Sequence, residues 1–162
     1  MKILLRPTAI TAALGVATLA AQAAGTVEVN FVDPERYSDI GRDNLDREHA
    51  MDVLQRHLKA LGTKLPDGQT LKLDVLDVDL AGELRLQRRG DEKRVLKGSA
   101  DFPRMSIRYT LTAGDQTLKS GEDKLADMAY LHHGGRLPDL RALDYELRMV
   151  DEWFGKTFAS AK

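Results

Sequence analysis

The sequence of 162 residues contains no cysteine. This absence excludes disulfide bonds, zinc–thiolate sites, iron–sulfur clusters and a cysteine nucleophile. An excess of one charge is also lacking, because 24 Lys and Arg residues stand against 25 Asp and Glu residues. A nearly neutral chain has no overall attraction to nucleic acid, so we expect no nucleic-acid partner. With 43% hydrophobic and 30% charged residues, the composition is that of a folded globular protein.

The one long uncharged apolar run lies near the start of the chain. Two basic residues precede the apolar stretch 8–20, and residues 21–23 read Ala-Gln-Ala, the small-x-small pattern of a signal-peptide cleavage site. The run is shorter than the roughly 20 residues that a membrane-spanning helix needs. We therefore expect residues 1–23 to be a signal peptide cleaved after Ala23. Residues 24–162 would then form one exported periplasmic domain without a transmembrane segment.

The spacing of apolar residues in the rest of the chain predicts an α+β fold. Apolar and polar residues alternate in four segments, which predicts strands over 27–31, 71–80, 105–111 and 117–123. Helical spacing predicts two helices, over 50–61 and 140–158. The alternation slips between Val75 and Leu76, which indicates either a β-bulge at this point or the end of the strand, and a further short strand is expected near Val95.

The order of these segments predicts how they assemble. We expect a single two-layer domain with a mixed, mostly antiparallel sheet of about five strands and two helices packed on one face. The first two strands, joined through the first helix, should be parallel. Asp43 is expected to cap the first helix, and Gly62 to end it.

The four histidines raise the question of a metal site. His49 and His57 are eight residues apart on one predicted helix, about 12 Å at 1.5 Å per residue, which is too far for one ion. His57 falls on the apolar stripe, so we expect it to pack in the core. His132 and His133 lie in a glycine-flanked loop, where they are either metal ligands or, as we favour, an exposed pair. We predict no metal site and no cofactor.

The sequence also lacks the local motifs of common enzyme classes. It contains no G-x-S-x-G, no S-x-x-K with its partner motifs, no Walker A loop and no G-x-G-x-x-G. Catalytic triads are assembled in space rather than in sequence, so a dispersed carboxylate–histidine site stays open. Its possible members are Asp33, Asp39, His49 and Asp127.

Charge is distributed unevenly along the chain. Residues 85–108 contain eight bases and three acids, whereas residues 28–48 contain seven acids and three bases. A predicted basic patch could bind anionic lipid headgroups, a cell-wall polymer or an acidic protein. Alternatively, it is a solvated hairpin whose charges are neutralised by the acidic segment of the same fold. The patch consists of Arg85, Arg88, Arg89, Lys93, Arg94 and Lys97.

Five runs of sequence together resemble one family. They are VNFVDPERYSDIGR (29–42), LDVLDVDLAGEL (73–84), DFPRMSIRYTL (101–111), SGEDKLADMAYL (120–131) and YELRMVDEWF (145–154). The chain resembles the family catalogued as domain of unknown function 3016, small exported proteins of Gram-negative bacteria. This resemblance implies export and a single domain. It implies no activity, cofactor or catalytic residue, because none is established for the family.

Nine polar residues, all of them in these runs, have no evident structural role, and they form the candidate site: Asp33, Tyr37, Asp39, Asp79, Glu83, Arg104, Arg108, Glu122 and Asp127. The favoured hypothesis is a non-enzymatic periplasmic protein that binds an envelope protein or an anionic envelope component. Binding would occur through a sheet edge or the basic hairpin. The alternative is a hydrolase that acts on an envelope component through the dispersed carboxylate–histidine site.

Overall fold

The computed structural model describes residues 24–88, 90, 92–98, 100–133 and 143–158. The expected signal peptide therefore lies outside the described residues, as do Arg89 and Leu140. Within the described part, the elements in chain order are β1 (Thr26–Phe31), α1 (Asn44–Ala60), β2 (Gln69–Asp79), β3 (Glu83–Leu86), β4 (Glu92–Val95), β5 (Arg104–Ala113), β6 (Gln116–Ala126) and α2 (Asp144–Phe158). Short 3-10 turns follow β1 (Pro34–Arg36) and α1 (Leu61–Lys64).

Two sheets divide the strands. The larger sheet has the order β1-β2-β5-β6, in which β1 and β2 are parallel and the other pairs are antiparallel. Strands β3 and β4 form a separate two-stranded antiparallel ribbon, and within the described residues they pair with no other strand. The α+β class and the parallel first pair are thus confirmed. The main sheet has four strands rather than about five, because the strand predicted near Val95 belongs to this ribbon.

Both helices pack on one face of the larger sheet, as predicted. The core joins residues of α1, α2 and the four strands of this sheet, including Leu54, Leu58, Val150, Phe154, Val27, Leu73, Ile107 and Leu125. The opposite face carries exposed charged side chains such as Lys72 and Arg108. Alternation along each strand therefore separates an apolar layer from a solvated one. No helix in the described ranges is long and apolar enough to span a membrane.

Of the two interpretations of the slip in β2, the bulge is correct, and the strand continues to Asp79. The register of β2 against β5 shifts between Val75 and Asp77, so Leu76 is the additional residue. Val75 and Val78 consequently both face the core, although they are three positions apart and would lie on opposite faces of a regular strand. The Val75 carbonyl accepts the Val32 N–H at 2.9 Å and the Tyr37 hydroxyl at 2.7 Å. The bulge therefore also anchors the chain that leaves β1.

Helix α1 begins as the sequence predicts and ends differently. The Asp43 carboxylate caps it by accepting the Asp46 N–H at 2.9 Å. The helix does not stop at Gly62 but tightens after Ala60 into the following 3-10 turn. His57 is half-buried, and its Nε2 lies 3.1 Å from Asp151 Oδ1 on α2. His57 therefore bridges the two helices at their margin and is not a core residue.

Candidate functional site

One end of the larger sheet collects most of the candidate residues. The register places Asp79, at the end of β2, beside Arg104 at the start of β5, and Arg104 beside Ala126 at the end of β6. Because β1 is parallel to β2, the segment after β1 reaches the same end, where Asp39 bridges to Asp79. The ribbon is inserted between β2 and β5 and emerges here too. We call this end, with the ribbon and residues 127–133, the ribbon end.

Arg94 fastens the ribbon to the rest of the domain. Its Nη1 and Nη2 donate to the two carboxylate oxygens of Asp39 at 2.9 and 2.8 Å. Nη1 also donates to the Gly82 carbonyl at 2.9 Å. The two side chains are only 14% and 23% exposed, so the bidentate pair is largely screened from water. Arg94, which the sequence places in the basic patch, is therefore an internal anchor and not a surface cation.

Gly82 forms the joint between β2 and the ribbon. Its φ of +86° lies in the left-handed region, and a Cβ there would come within 2.9 Å of the Val95 carbonyl oxygen. Its N–H donates to the Asp101 carbonyl at 2.8 Å, which ties the start of the ribbon to the segment that follows it. Glycine meets both requirements because it has no side chain.

Glu146 is a buried carboxylate beneath this joint. It is 2% exposed, and its Oε1 accepts the Ala81 N–H at 2.7 Å. Burial raises the pKa of the Glu146 carboxyl, although the Ala81 hydrogen bond and the nearby charge of Arg94 act in the opposite direction. Sequence reasoning missed this residue. The available signal was its position four residues before Val150 and eight before Phe154, on the buried stripe of α2.

Asp79 and Arg104 form a second ion pair at the ribbon end. Arg104 Nη1 lies 2.6 Å from Asp79 Oδ2, and Nη2 donates to the Ala100 carbonyl at 2.9 Å. The guanidinium also stacks 4.0 Å from the ring centre of Phe102. These contacts fix the path of the chain into β5. They account for both candidate residues as structural groups.

The remaining cations of the ribbon divide into paired and exposed groups. Lys97 forms an ion pair with Glu83 and lowers the pKa of that carboxyl. Arg85 Nη2 lies farther from Glu83, at 3.7 Å, and is 55% exposed. Arg85 and Lys93 are directly opposite each other across the ribbon, an arrangement that is destabilising for like charges. With Arg88 in the exposed turn, these two residues form what we call the ribbon tip: Arg85, Arg88 and Lys93.

Four candidate residues lie apart from these contacts. Arg108 and Glu122 form a pair at 3.2 Å on the solvated sheet face, about half exposed, and contribute little there. Asp33 adopts the left-handed conformation, with φ 49°, at the start of the first 3-10 turn. The Tyr37 hydroxyl donates a hydrogen bond to the Val75 carbonyl at the bulge, and burial raises the pKa of this hydroxyl. The structure brings none of these into a common site.

Asp127 is the candidate carboxylate with a histidine beside it. Its Oδ1 lies 3.2 Å from His133 Nε2 and accepts the Ala129 N–H at 3.1 Å. Arg148 Nη2 is 3.7 Å from Asp127 Oδ2 and donates to the Tyr130 carbonyl at 2.9 Å. His133 is thus oriented by a carboxylate that an arginine flanks. Among the described residues, no group of three histidine or acidic side chains is arranged to hold a metal ion.

A comparison with protein families covers this whole arrangement. The family model described as protein of unknown function (DUF3016) matches residues 25–156, which include every candidate residue and the ribbon. Comparisons with curated proteins and with solved structures gave no match. The resemblance carried by the five sequence runs is therefore confirmed over most of the chain. The chain belongs to the DUF3016 family of proteins of unknown function.

Proposed function

We propose that the chain is a non-enzymatic exported protein of the cell envelope that binds an anionic partner through the ribbon tip. The observation that carries this proposal is the placement of Arg85 directly opposite Lys93 on an exposed ribbon. Facing side chains on neighbouring antiparallel strands have Cβ atoms about 5 Å apart. Two cations at that separation repel each other, and an anion bound between them replaces the repulsion with two attractions.

The support behind the tip favours binding. Arg94, Gly82 and Glu146 fix the base of the ribbon to three separate parts of the domain. A group held in place before binding loses less conformational freedom when the partner arrives. The rigid base and the exposed cations thus complement each other.

The leader pattern of residues 1–23 supports the envelope as the location. A basic start, a short apolar run and an Ala-Gln-Ala site are the three parts of a cleavable export signal. Mass spectrometry of the protein recovered from the periplasm should give a mature chain that begins at Ala24. Recovery of the intact chain in the cytoplasmic fraction would contradict export.

The binding proposal is tested by neutralising the tip. The variant Arg85→Gln/Arg88→Gln/Lys93→Gln should co-sediment with isolated envelope fractions at least about tenfold more weakly than the parent protein, because the attraction is electrostatic. The matched control Lys59→Gln/Lys64→Gln/Lys72→Gln removes the same charge from the opposite end of the domain. The control should bind like the parent. Equal binding by both variants would overturn the proposal.

A second candidate function, a hydrolase, is favoured by the Asp127–His133 contact. A carboxylate on Nε2 orients the imidazole and leaves Nδ1 to take a proton from water or a hydroxyl group. Asp39 is less suited to this role, because Arg94 engages both of its carboxylate oxygens. In a hydrolase screen, any activity of this site should fall at least about a hundredfold in His133→Gln. Activity that this substitution leaves unchanged would exclude the pair.

A further inference from the structure

Exposed apolar side chains are concentrated at the ribbon end. Leu86 is 73% exposed and Met128 is 74% exposed, and Leu131 is also exposed. Leu86 lies on β3, between Arg85 and Arg88 in the sequence, and the other two lie in the loop after β6.

Contacts within the domain place this loop beside the ribbon. The Tyr130 hydroxyl accepts the Gly98 N–H at 3.2 Å, and Leu131 lies so close to Gly98 that an added Cβ would meet its Cδ1 at 2.7 Å. Gly98 lies three residues after the end of β4, at the base of the ribbon. The three exposed apolar side chains therefore lie at one end of the molecule. Leu86 projects from the ribbon, and Met128 and Leu131 project from the loop after β6.

Cations of the ribbon tip lie close to Leu86 in the sequence. Arg85 and Lys93 occupy one face of the ribbon, and Leu86 projects from the other, because side chains alternate along a strand. Glu92 lies opposite Leu86. Its charge contributes to the raised pKa of Arg42, an exposed residue of the segment before α1, for which Asp46 is the main cause. One acid therefore lies across from Leu86, on the face of the ribbon opposite Arg85 and Lys93.

We infer that the anionic partner is a lipid bilayer surface, on which Leu86, Met128 and Leu131 enter the headgroup region while the ribbon tip contacts anionic headgroups. This inference rests on the proposed function and names its partner. The apolar side chains lie on separate projections with cations beside them, and a fluid bilayer adapts to such projections. A folded protein partner would need preformed pockets for each of them. Apolar insertion combined with cationic attraction is how peripheral proteins bind anionic membranes.

The test is sedimentation with vesicles of defined composition. Protein that begins at Ala24 is used, because the apolar leader would itself bind lipid, and its folding is verified by circular dichroism. It should bind vesicles of equal parts phosphatidylcholine and phosphatidylglycerol, bind phosphatidylcholine alone at least about tenfold more weakly, and lose binding as salt rises. Equal binding to both vesicle types, or none to either, would overturn the inference.

Apolar insertion is tested separately from charge. The variant Leu86→Ser/Met128→Ser should bind the anionic vesicles at least about tenfold more weakly, because both side chains lose their apolar contacts with lipid. The control Leu118→Ser removes an exposed leucine at the opposite end of the sheet and should bind like the parent. All three substituted residues are exposed, so we expect the double variant and the control to fold like the parent. A double variant that binds like the control would show that apolar insertion does not occur.

The results also separate this inference from the proposed function. One possible result is that the protein does not bind vesicles, while its binding to envelope fractions still depends on Arg85, Arg88 and Lys93. In that case the partner is an acidic protein or polymer. The lipid inference then fails and the proposed function stands. If neither vesicles nor envelope fractions bind in a tip-dependent way, both fail.

Discussion

Basic residues lie at both the base and the tip of the ribbon, but Arg94 at the base is largely buried in an ion pair, whereas those at the tip are exposed. At the base, Arg94 is enclosed by Asp39 and backbone carbonyls, and Glu146 is buried beside it. At the tip, Arg85 and Lys93 face each other in water. One run of basic residues in the sequence can therefore contain both a residue that stabilises the fold and the residues that we propose bind a partner. The two regions should therefore respond differently to substitution, in stability at the base and in binding at the tip.

Removing the anchor should produce the largest effect. Arg94→Met keeps the aliphatic stem but leaves the Asp39 carboxylate partly buried without its cation. The free energy of unfolding should fall by about 2 to 4 kcal/mol, measured by urea denaturation. The control Arg108→Met breaks an exposed pair and should cost less than about 1 kcal/mol. Equal losses in the two variants would show that Arg94 is not an anchor.

The glycine joint should give the next largest effect. Gly82→Ala places a methyl group 2.9 Å from the Val95 carbonyl oxygen at a φ of +86°. Gly90 has the same φ but open space around its Cβ position, so Gly90→Ala reports the conformational penalty alone. Gly82→Ala should lower the free energy of unfolding by about 2 kcal/mol, and Gly90→Ala by about 1 kcal/mol. If the two losses are the same, the close approach to Val95 has no energetic consequence.

Glu146 should make stability depend on pH in a defined direction. Its folded-state pKa is raised above the ordinary value of 4.5, so the folded protein holds this proton more tightly than the unfolded chain. The stabilisation is complete below about 4.5 and is lost as pH rises through the folded pKa. Glu146→Gln keeps an oxygen for the Ala81 N–H and lacks this titration. The free energy of unfolding of the parent, minus that of the variant, should therefore fall from pH 4.5 to 8, as followed by urea denaturation.

A constant difference between the parent and Glu146→Gln across this pH range would contradict the assigned burial of the charge. Glu152→Gln is a suitable control, because Glu152 is an exposed residue of the same helix that pairs with Lys156. Glu152→Gln removes one carboxylate from the exposed side of α2 and leaves Glu146 in place, so it reports the effect of losing a surface charge alone.

Neutralising the tip should have the smallest effect on stability, and of the opposite sign. Arg85→Gln removes the repulsion from Lys93, so the free energy of unfolding should rise by a few tenths of a kcal/mol, up to about 1 kcal/mol. Repeating the urea denaturation in high salt should shrink the gain, since the repulsion is screened. A loss of stability in Arg85→Gln would mean that Arg85 stabilises the fold, which would contradict its assignment as a binding residue.

The fold followed from the sequence wherever one local rule determined the outcome. The slip at Val75 and Leu76 limited the possibilities to a bulge or the end of the strand, because a buried face must stay buried along a continuous strand. The short strand near Val95 was assigned to the sheet, but its pairing with β3 depends on the Gly82 joint and the bonds of Arg94. The spacing of apolar residues in the sequence contains no information about these contacts. Helix α2 shows a similar limit, because Glu146 interrupts an apolar stripe without changing its period.

The candidate residues were harder to interpret than the strands. Asp39, Asp79, Glu83 and Arg104 do converge at the ribbon end, because the parallel pair and the hairpin bring their segments there. What each one does depends on its partner, and those partners lie 14 to 55 residues away in the sequence. Charge counts along the chain cannot distinguish Arg94, which is enclosed, from Lys93, its exposed neighbour.

The most direct test of the account measures binding and stability on the same samples. Arg85→Gln/Arg88→Gln/Lys93→Gln is compared with the parent in sedimentation with envelope fractions, and both are unfolded in urea. We predict that the variant loses binding at least about tenfold while its free energy of unfolding stays within about 1 kcal/mol of the parent. Retained binding, or binding lost only together with stability, would contradict the separation of a binding tip from an anchoring base.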